Sequence, residues 1–345
     1  MTTAVAHLER PTLLSATHPP ETEGKQRDEV KLLASDSEGD RPLGFRALPR
    51  LLTAGDLLVV NRSATIPASI PARWEGESVR CNLCTRFGDG MWLAEPRRGV
   101  REQGPLGIDR GERITLGSGT AEATMVASYP HNERLTFFSI TGSIEKVLAR
   151  DGEPIRYDYV DDTYHLSHYQ TIFGDVPGSV EMPSAGRPFS DRVIRKLRVR
   201  GVGIAPITLH TGVSSLETTS SSVKTALVPE RYHVPSLTAQ VVNATKARGG
   251  RVIAAGTTVV RALESAWDGT SVTESKGITR LAITHPSAVN VVDGLLTGFH
   301  EPTASHLAMV GSFIAEDRLR DAYERAIEHG FRWHEFGDVH LILDR

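Results

Sequence analysis

The sequence predicts an α/β protein: a barrel-like α/β domain with mostly parallel strands, interrupted by an inserted small β-barrel domain. Three observations predict it. After Pro154, short apolar stretches alternate with amphipathic ones, the pattern of βα units around a largely parallel sheet. Between about Ile70 and Leu148, brief alternating stretches sit between Gly, Asp and Pro turns, the texture of a small all-β barrel or sandwich. The run from Arg251 to Glu264 then reads as a buried strand, a Gly256-Thr257-Thr258 turn and a helix.

The elements follow in chain order. Residues 1–26 are rich in Thr, Pro, Glu and Ala without periodicity, which predicts a disordered N-terminal segment. Order begins near Arg27-Asp28, and Gly55-Asp56 turns into an apolar strand ending at Asn61. Strands are expected over 78–85, 91–95, 113–116, 121–127 and 134–140, within an insertion covering 70–153. The α/β domain is therefore discontinuous, over 27–69 and 154–345. Ser190 can cap a helix over 191–200 that Gly201 closes. A strand over 203–210 follows, then a helix opened by Pro235-Ser236 and ended by Gly249-Gly250. The spacing next predicts a strand over 251–255, a helix over 258–267, a strand over 288–296, helices over 304–315 and 318–329, and a strand over 338–343.

With 345 residues, the chain is long enough for about two domains. Its formal charge of −3 gives no global attraction to nucleic acid, so any RNA contact requires a local patch. The two cysteines, Cys81 and Cys84, have the spacing of half a zinc knuckle, but no second pair exists. They read as half-buried strand thiols in a reducing cytosol. The N-terminus carries no secretion signal pattern, and no apolar run is long enough to span a bilayer, so a cytoplasmic protein without membrane contact is expected. Phosphate-loop, nucleophile-elbow and dinucleotide glycine motifs are missing, and the histidines lack metal-ligand spacing.

In α/β domains, ligands gather at the carboxyl ends of strands. Thr208-Leu209-His210-Thr211-Gly212 closes one predicted strand and Gly256-Thr257-Thr258 the next. Asp293 falls within the strand expected over 288–296, and His300 follows it. A strand feeding a helix through Gly-Thr-Thr points unpaired N–H groups and hydroxyls at one spot, which suits a carboxylate or phosphate. Arg261 and Glu264 fall about one turn further on. His210, His300, Glu230, Asp293, Glu264 and Arg261 can therefore converge. Each has a plainer reading as well: a strand-end histidine is often a structural hydrogen-bonding group, and Asp293 can pin a loop. Arg192, Arg195, Lys196 and Arg200 share one helix face, either an RNA-contacting surface or an ordinary solvated one.

Read in order, these segments resemble the S-adenosylmethionine:tRNA ribosyltransferase-isomerases of queuosine biosynthesis. The matching pieces begin with Arg27-Asp28-x-x-Lys31-Leu32-Leu33, the stretch ending at Asn61, Ile66-Pro67-Ala68, Tyr169-Gln170-Thr171 and 178–189. They continue with His210-Thr211-Gly212, Glu230, Lys246 to Arg251, Gly256-Thr257-Thr258-x-x-Arg261-x-Leu263-Glu264, Val292-Asp293, Phe299-His300-x-Pro302 and Phe336-Gly337-Asp338. They span nearly the whole chain.

The resemblance implies an α/β barrel-like domain with an inserted β-barrel. It also implies transfer and isomerisation of the ribosyl part of S-adenosylmethionine onto 7-aminomethyl-7-deazaguanine in tRNA, giving epoxyqueuosine. S-adenosylmethionine is then a co-substrate, with no other cofactor and no metal, and a monomer is expected. Gly256, Thr257, Thr258, Arg261 and Glu264 would form the substrate-binding turn. His210, Glu230, Asp293 and His300 would be the acid–base groups. The chain departs from the family pattern at Ala64 and Ser69, where arginines are usual, at Pro188 in place of a histidine, and at Leu227-Val228 in place of Met-His. Two alternatives stay open: a relative using S-adenosylmethionine with a small non-tRNA acceptor, and an inactive binding protein of the same fold.

Overall fold

A computed structural model describes residues 12–99, 106–130, 132–213, 228–284, 289–300 and 305–343. Strands are β1 (Lys31–Asp36), β2 (Gly39–Gly44), β3 (Leu57–Asn61), β4 (Ser63–Thr65), β5 (Ser69–Trp74), β6 (Glu77–Gly88), β7 (Met91–Arg97), β8 (Arg113–Leu116), β9 (Ala121–Ser128), β10 (Thr136–Gly142), β11 (Val176–Ser179), β12 (Gly203–Leu209), β13 (Glu230–Val234), β14 (Val252–Ala255), β15 (Ser275–Thr279), β16 (Gly294–Gly298) and β17 (Val339–Ile342). Helices are α1 (Leu48–Leu51), α2 (Ile144–Asp151), α3 (Asp191–Val199), α4 (Ser236–Ala247), α5 (Thr257–Ser265), α6 (Ser305–Val310) and α7 (Glu316–Glu328).

Nine strands form one mixed sheet, in the order β15-β13-β12-β3-β14-β16-β17-β1-β2. Its centre, β12-β3-β14-β16, is parallel, as the alternating pattern requires, while β16 pairs β17 and β12 pairs β13 antiparallel. The central strands β3 and β14 are buried at every position, as strands covered on both faces must be. Helices cover the sheet by ordinary amphipathic logic. In α3, Ser190 accepts a hydrogen bond from the Val193 amide, Val193 and Leu197 point into the core, and Gly201 follows in the left-handed region. Burying those two side chains contributes about 1.5–3 kcal/mol each.

The insertion is a closed six-stranded barrel, β10-β7-β6-β5-β8-β9. Strand β9 alternates buried and half-buried residues over its first six positions, as the short alternating sequence demands. The chain enters and leaves the barrel side by side: the Ser69 amide donates to the Glu153 carbonyl and the Glu153 amide to the Ser69 carbonyl, both at 2.9 Å. The barrel core is continuous with Val180, Val213 and Val228 outside it. Cys81 and Cys84 on β6 are fully buried rather than half-buried, because both lie in that core, and burial pushes both thiols up to about 12.

Two expectations need correction. The disorder expected over 1–26 does not hold for its described part, 12–26. The Ala16 amide donates to the Trp333 carbonyl, the Trp333 amide to the Leu14 carbonyl, and Glu21 pairs with buried Arg187 at 2.7 Å. Tertiary partners order a segment that lacks a pattern of its own; residues 1–11 lie outside the described residues. The strand expected over 288–296 begins only at Gly294. In the preceding apolar run, the amides of Asn290, Val291 and Val292 donate to the Glu264 carboxylate instead of to a strand ladder.

Candidate active site

The carboxyl ends of β12, β3, β14 and β16 lie side by side and present, in that order, His210, Asn61, Gly256 and His300. Asn61 ties this edge together. Its Nδ2 donates to the Leu209 carbonyl at 2.8 Å and to Thr258 Oγ1 at 3.3 Å. Its Oδ1 accepts from the Leu209 and Ser63 amides at 3.1 and 3.0 Å. All four hydrogen-bonding positions of a buried amide are thereby used, which fixes β3, β12 and the start of α5 relative to one another.

Gly256 sits at φ 105°, so the turn into α5 favours glycine there, and no side chain caps the helix. The first amides of α5 therefore keep their capacity to bind an anion. A turn at Ser184–Gly186 lies beside them, with Ala185 close to Gly256. Thr257 is buried and Thr258 half-buried.

His210 leads a chain of hydrogen bonds. The Thr211 amide donates to Ser179 Oγ at 3.1 Å, Ser179 Oγ donates to Ser63 Oγ at 2.7 Å, and Ser63 Oγ lies 2.7 Å from His210 Nδ1. The Thr211 amide occupies one lone pair of Ser179 Oγ, and the hydroxyls of Ser179 and Ser63 link it to the imidazole. Gly178 packs on the ring: a Cβ there would fall 2.5 Å from it, so only glycine allows the approach. Burial first, and Arg231 second, lower the His210 pKa to about 4. His300 is half-buried on the other flank, with Nε2 2.9 Å from Thr297 Oγ1. Strands β3 and β14 separate the two histidines, three inter-strand steps or roughly 14 Å. They bracket the edge rather than touch.

The remaining sequence-derived site residues do other work. Arg261 is buried; it pairs with Glu230 and donates through Nε to the Leu281 carbonyl at 3.1 Å. Glu230 also accepts from the Gly212 amide at 2.9 Å, and burial raises its pKa against the pull of Arg261. This pair braces the segment carrying His210 and is buried among the described residues. Glu264 pins the 290–292 loop, as described above. Asp293 lies at the amino end of β16, where it accepts from Lys246 at 2.6 Å and from the Val252 amide at 2.8 Å. It is therefore at the opposite end of the strands from the histidines, because β16 starts at Gly294, just after Asp293, and not at residue 288. Arg195, Lys196 and Arg200 are exposed on α3, and Arg192 reaches Asp28 at 3.5 Å. The departure at Leu227, along with Pro302, lies outside the described residues.

Asn61, Ser63 and Ser179 were not singled out from sequence as site residues. Only the Gly178-Ser179 pair carried a signal, a glycine before a small polar residue inside a stretch otherwise read as one long motif. The barrel supplies a wall: Thr85 Oγ1 donates to the Pro229 carbonyl at 2.7 Å and the Val213 amide to Cys84 Sγ at 3.3 Å, beside His210 and Glu230.

A family model described as queuosine biosynthesis protein matches residues 7–342. The chain belongs to that family. Among its relatives, the S-adenosylmethionine:tRNA ribosyltransferase-isomerase of Thermus thermophilus is 35% identical over 330 residues, covering 92% of this chain and 93% of that protein. The protein of the same name from Deinococcus radiodurans is 33% identical over 343 residues, covering 94% and 91%. The crystal structure of S-adenosylmethionine tRNA ribosyltransferase from Thermotoga maritima superposes with a TM-score of 0.55 at 27% identity, over 99% of this chain and 100% of that one. Membership of the family thus extends over the barrel as well as the sheet. Among the described residues no helix is long and apolar enough to cross a membrane.

Proposed function

We propose that this chain transfers and isomerises the ribosyl moiety of S-adenosylmethionine onto 7-aminomethyl-7-deazaguanine in tRNA, giving epoxyqueuosine and releasing adenine and methionine. The observation that carries the reading is the 35% identity with the Thermus enzyme across 92% of the chain. S-adenosylmethionine is a zwitterionic sulfonium nucleoside, and the sheet edge offers groups for its parts. The first amides of α5, at Thr257 and Thr258, receive the methionine carboxylate, since a helix start favours negative charge, while the Gly256 amide donates to the Leu296 carbonyl.

The sulfonium acidifies the adjacent ribose C–H, a base starts ring opening, and a donor assists the departure of adenine. His210, held neutral by burial and anchored at Nδ1 by Ser63, is placed to present Nε2 to the leaving base or to a developing anion. Proton removal then falls to His300, at the other flank of the edge. The exposed Arg195, Lys196 and Arg200, with Arg192, offer a surface for the tRNA backbone. The function is tested by incubating the protein with S-adenosylmethionine and an RNA hairpin bearing 7-aminomethyl-7-deazaguanine. Adenine release that requires the hairpin supports the reading. Release that occurs equally with the free deazapurine, or none with either, refutes it.

A further inference from the structure

A polar cleft lies between the barrel and the segment leading out of it. Three guanidiniums, Arg80, Arg97 and Arg156, line it against one carboxylate, Glu153, with Tyr164 and Tyr169 on the far wall. Arg80 lies over Ser69, with Nε 3.0 Å from Ser69 Oγ, and pairs with the half-exposed Glu153 at 2.8 Å. Arg97 is buried and 3.8 Å from Glu95, a carboxylate it shares with Arg134. Among the described residues Arg156 has no ion pair and donates only to Thr163 Oγ1, at 3.1 Å. Three arginines thus line the cleft with one carboxylate, and Asp161 lies behind it on the Tyr164 hydroxyl; Arg80 and Arg97 are carried side by side on β6 and β7, and Arg156 by the segment leaving the barrel.

The cleft is also placed close to the sheet edge. The Ile66 amide donates to the carbonyl of Ser179, and three residues on, Ser69 lines the cleft. An extended chain of that length spans about 10 Å. A ligand chain whose reacting base lies beside His210 therefore passes the cleft within a nucleotide or two.

We propose that this cleft binds phosphodiester groups of the acceptor RNA next to the modified nucleotide, with Arg80 and Arg156 as the direct contacts. The inference rests on the function proposed above. Guanidiniums recognise phosphate oxygens through paired N–H groups. Arg97, held by Glu95, fixes the charge of the cleft floor.

The test is the salt dependence of binding of the same hairpin to the full chain and to Arg80→Gln, Arg156→Gln and Arg156→Lys, with thermal unfolding as the check on folding. Each Gln variant is expected to bind about tenfold more weakly. Each should also lower the slope of log affinity against log salt by about 0.7, the loss of one single-strand phosphate contact. Arg156→Lys keeps the charge and should keep the slope. Wild-type binding with unchanged slopes in folded Gln variants overturns the cleft while leaving the RNA reading intact. Failure of the wild-type chain to bind the hairpin overturns the RNA reading itself, and the cleft with it.

Discussion

Ser63 Oγ lies 2.7 Å from Nδ1 of His210, at the end of a relay that begins at the Thr211 amide. Burial keeps the His210 imidazole neutral near pH 7, and Ser63 holds its Nδ1 side. Replacing Ser63 with Ala removes the hydroxyl that orients the imidazole. Turnover is expected to fall about tenfold, with little change in KM for S-adenosylmethionine, because the loss is felt in the transition state. A raised KM with unchanged kcat would instead give Ser63 a role in ground-state binding.

The acid side of the stability profile follows from two buried imidazoles. Burial lowers His210 to about 4 and His340 to about 3. In the unfolded chain both titrate near 6.5, so protons bind the unfolded state first. The stability from burying them neutral is present above pH 6.5 and is lost as pH falls through 4 and 3. Thermal unfolding at pH 7.5, 6 and 5 should show a falling midpoint. His340→Gln, which cannot ionise, should make that fall shallower, and an unchanged pH dependence would contradict it.

Arg261 and Glu230 form a buried pair, and removing one partner strands the other. Arg261→Met is expected to cost about 3–5 kcal/mol in denaturant unfolding. The double variant Arg261→Met, Glu230→Met should recover much of that loss. If Arg261 instead bound substrate, Arg261→Met would leave stability intact and raise KM.

Asp293 faces Lys246 and the Val252 amide, far from the histidines. Asp293→Asn should keep kcat within about twofold while lowering stability, since it weakens a charge-assisted bond to a backbone amide. Loss of turnover in a fully folded variant would return Asp293 to the chemistry.

The basic face of α3 is tested by Arg195→Gln with Lys196→Gln. Hairpin affinity should fall and its salt slope with it, while affinity for S-adenosylmethionine is unchanged.

Much of the fold was legible because local signals and tertiary structure agree. Ser190 and Gly201 bound α3 as a cap and a left-handed exit should, and the alternating stretches of 78–140 close into a barrel. The 289–292 run misled because Val289, Val291 and Val292, all buried, look like part of a strand whether the amides there face a ladder or a carboxylate. Glu264, far off in sequence, decides which. The same applies to Arg261: its spacing from Gly256 was read correctly, but the direction of its side chain depends on Glu230, which no local pattern reveals. His210, Gly256 and His300 were legible as strand-end groups. Ser63 and Ser179 were not, since their meaning comes only from meeting across β4 and β11.

The central claim is that the ribosyl group itself moves to RNA. The most direct measurement uses S-adenosylmethionine labelled with carbon-13 in the ribose, the deazapurine-bearing hairpin, and mass spectrometry of the digested RNA nucleosides. The account predicts that the ribose label appears in the modified nucleoside, in step with free adenine and methionine. RNA that stays unlabelled, or that gains only a methyl group, would contradict it.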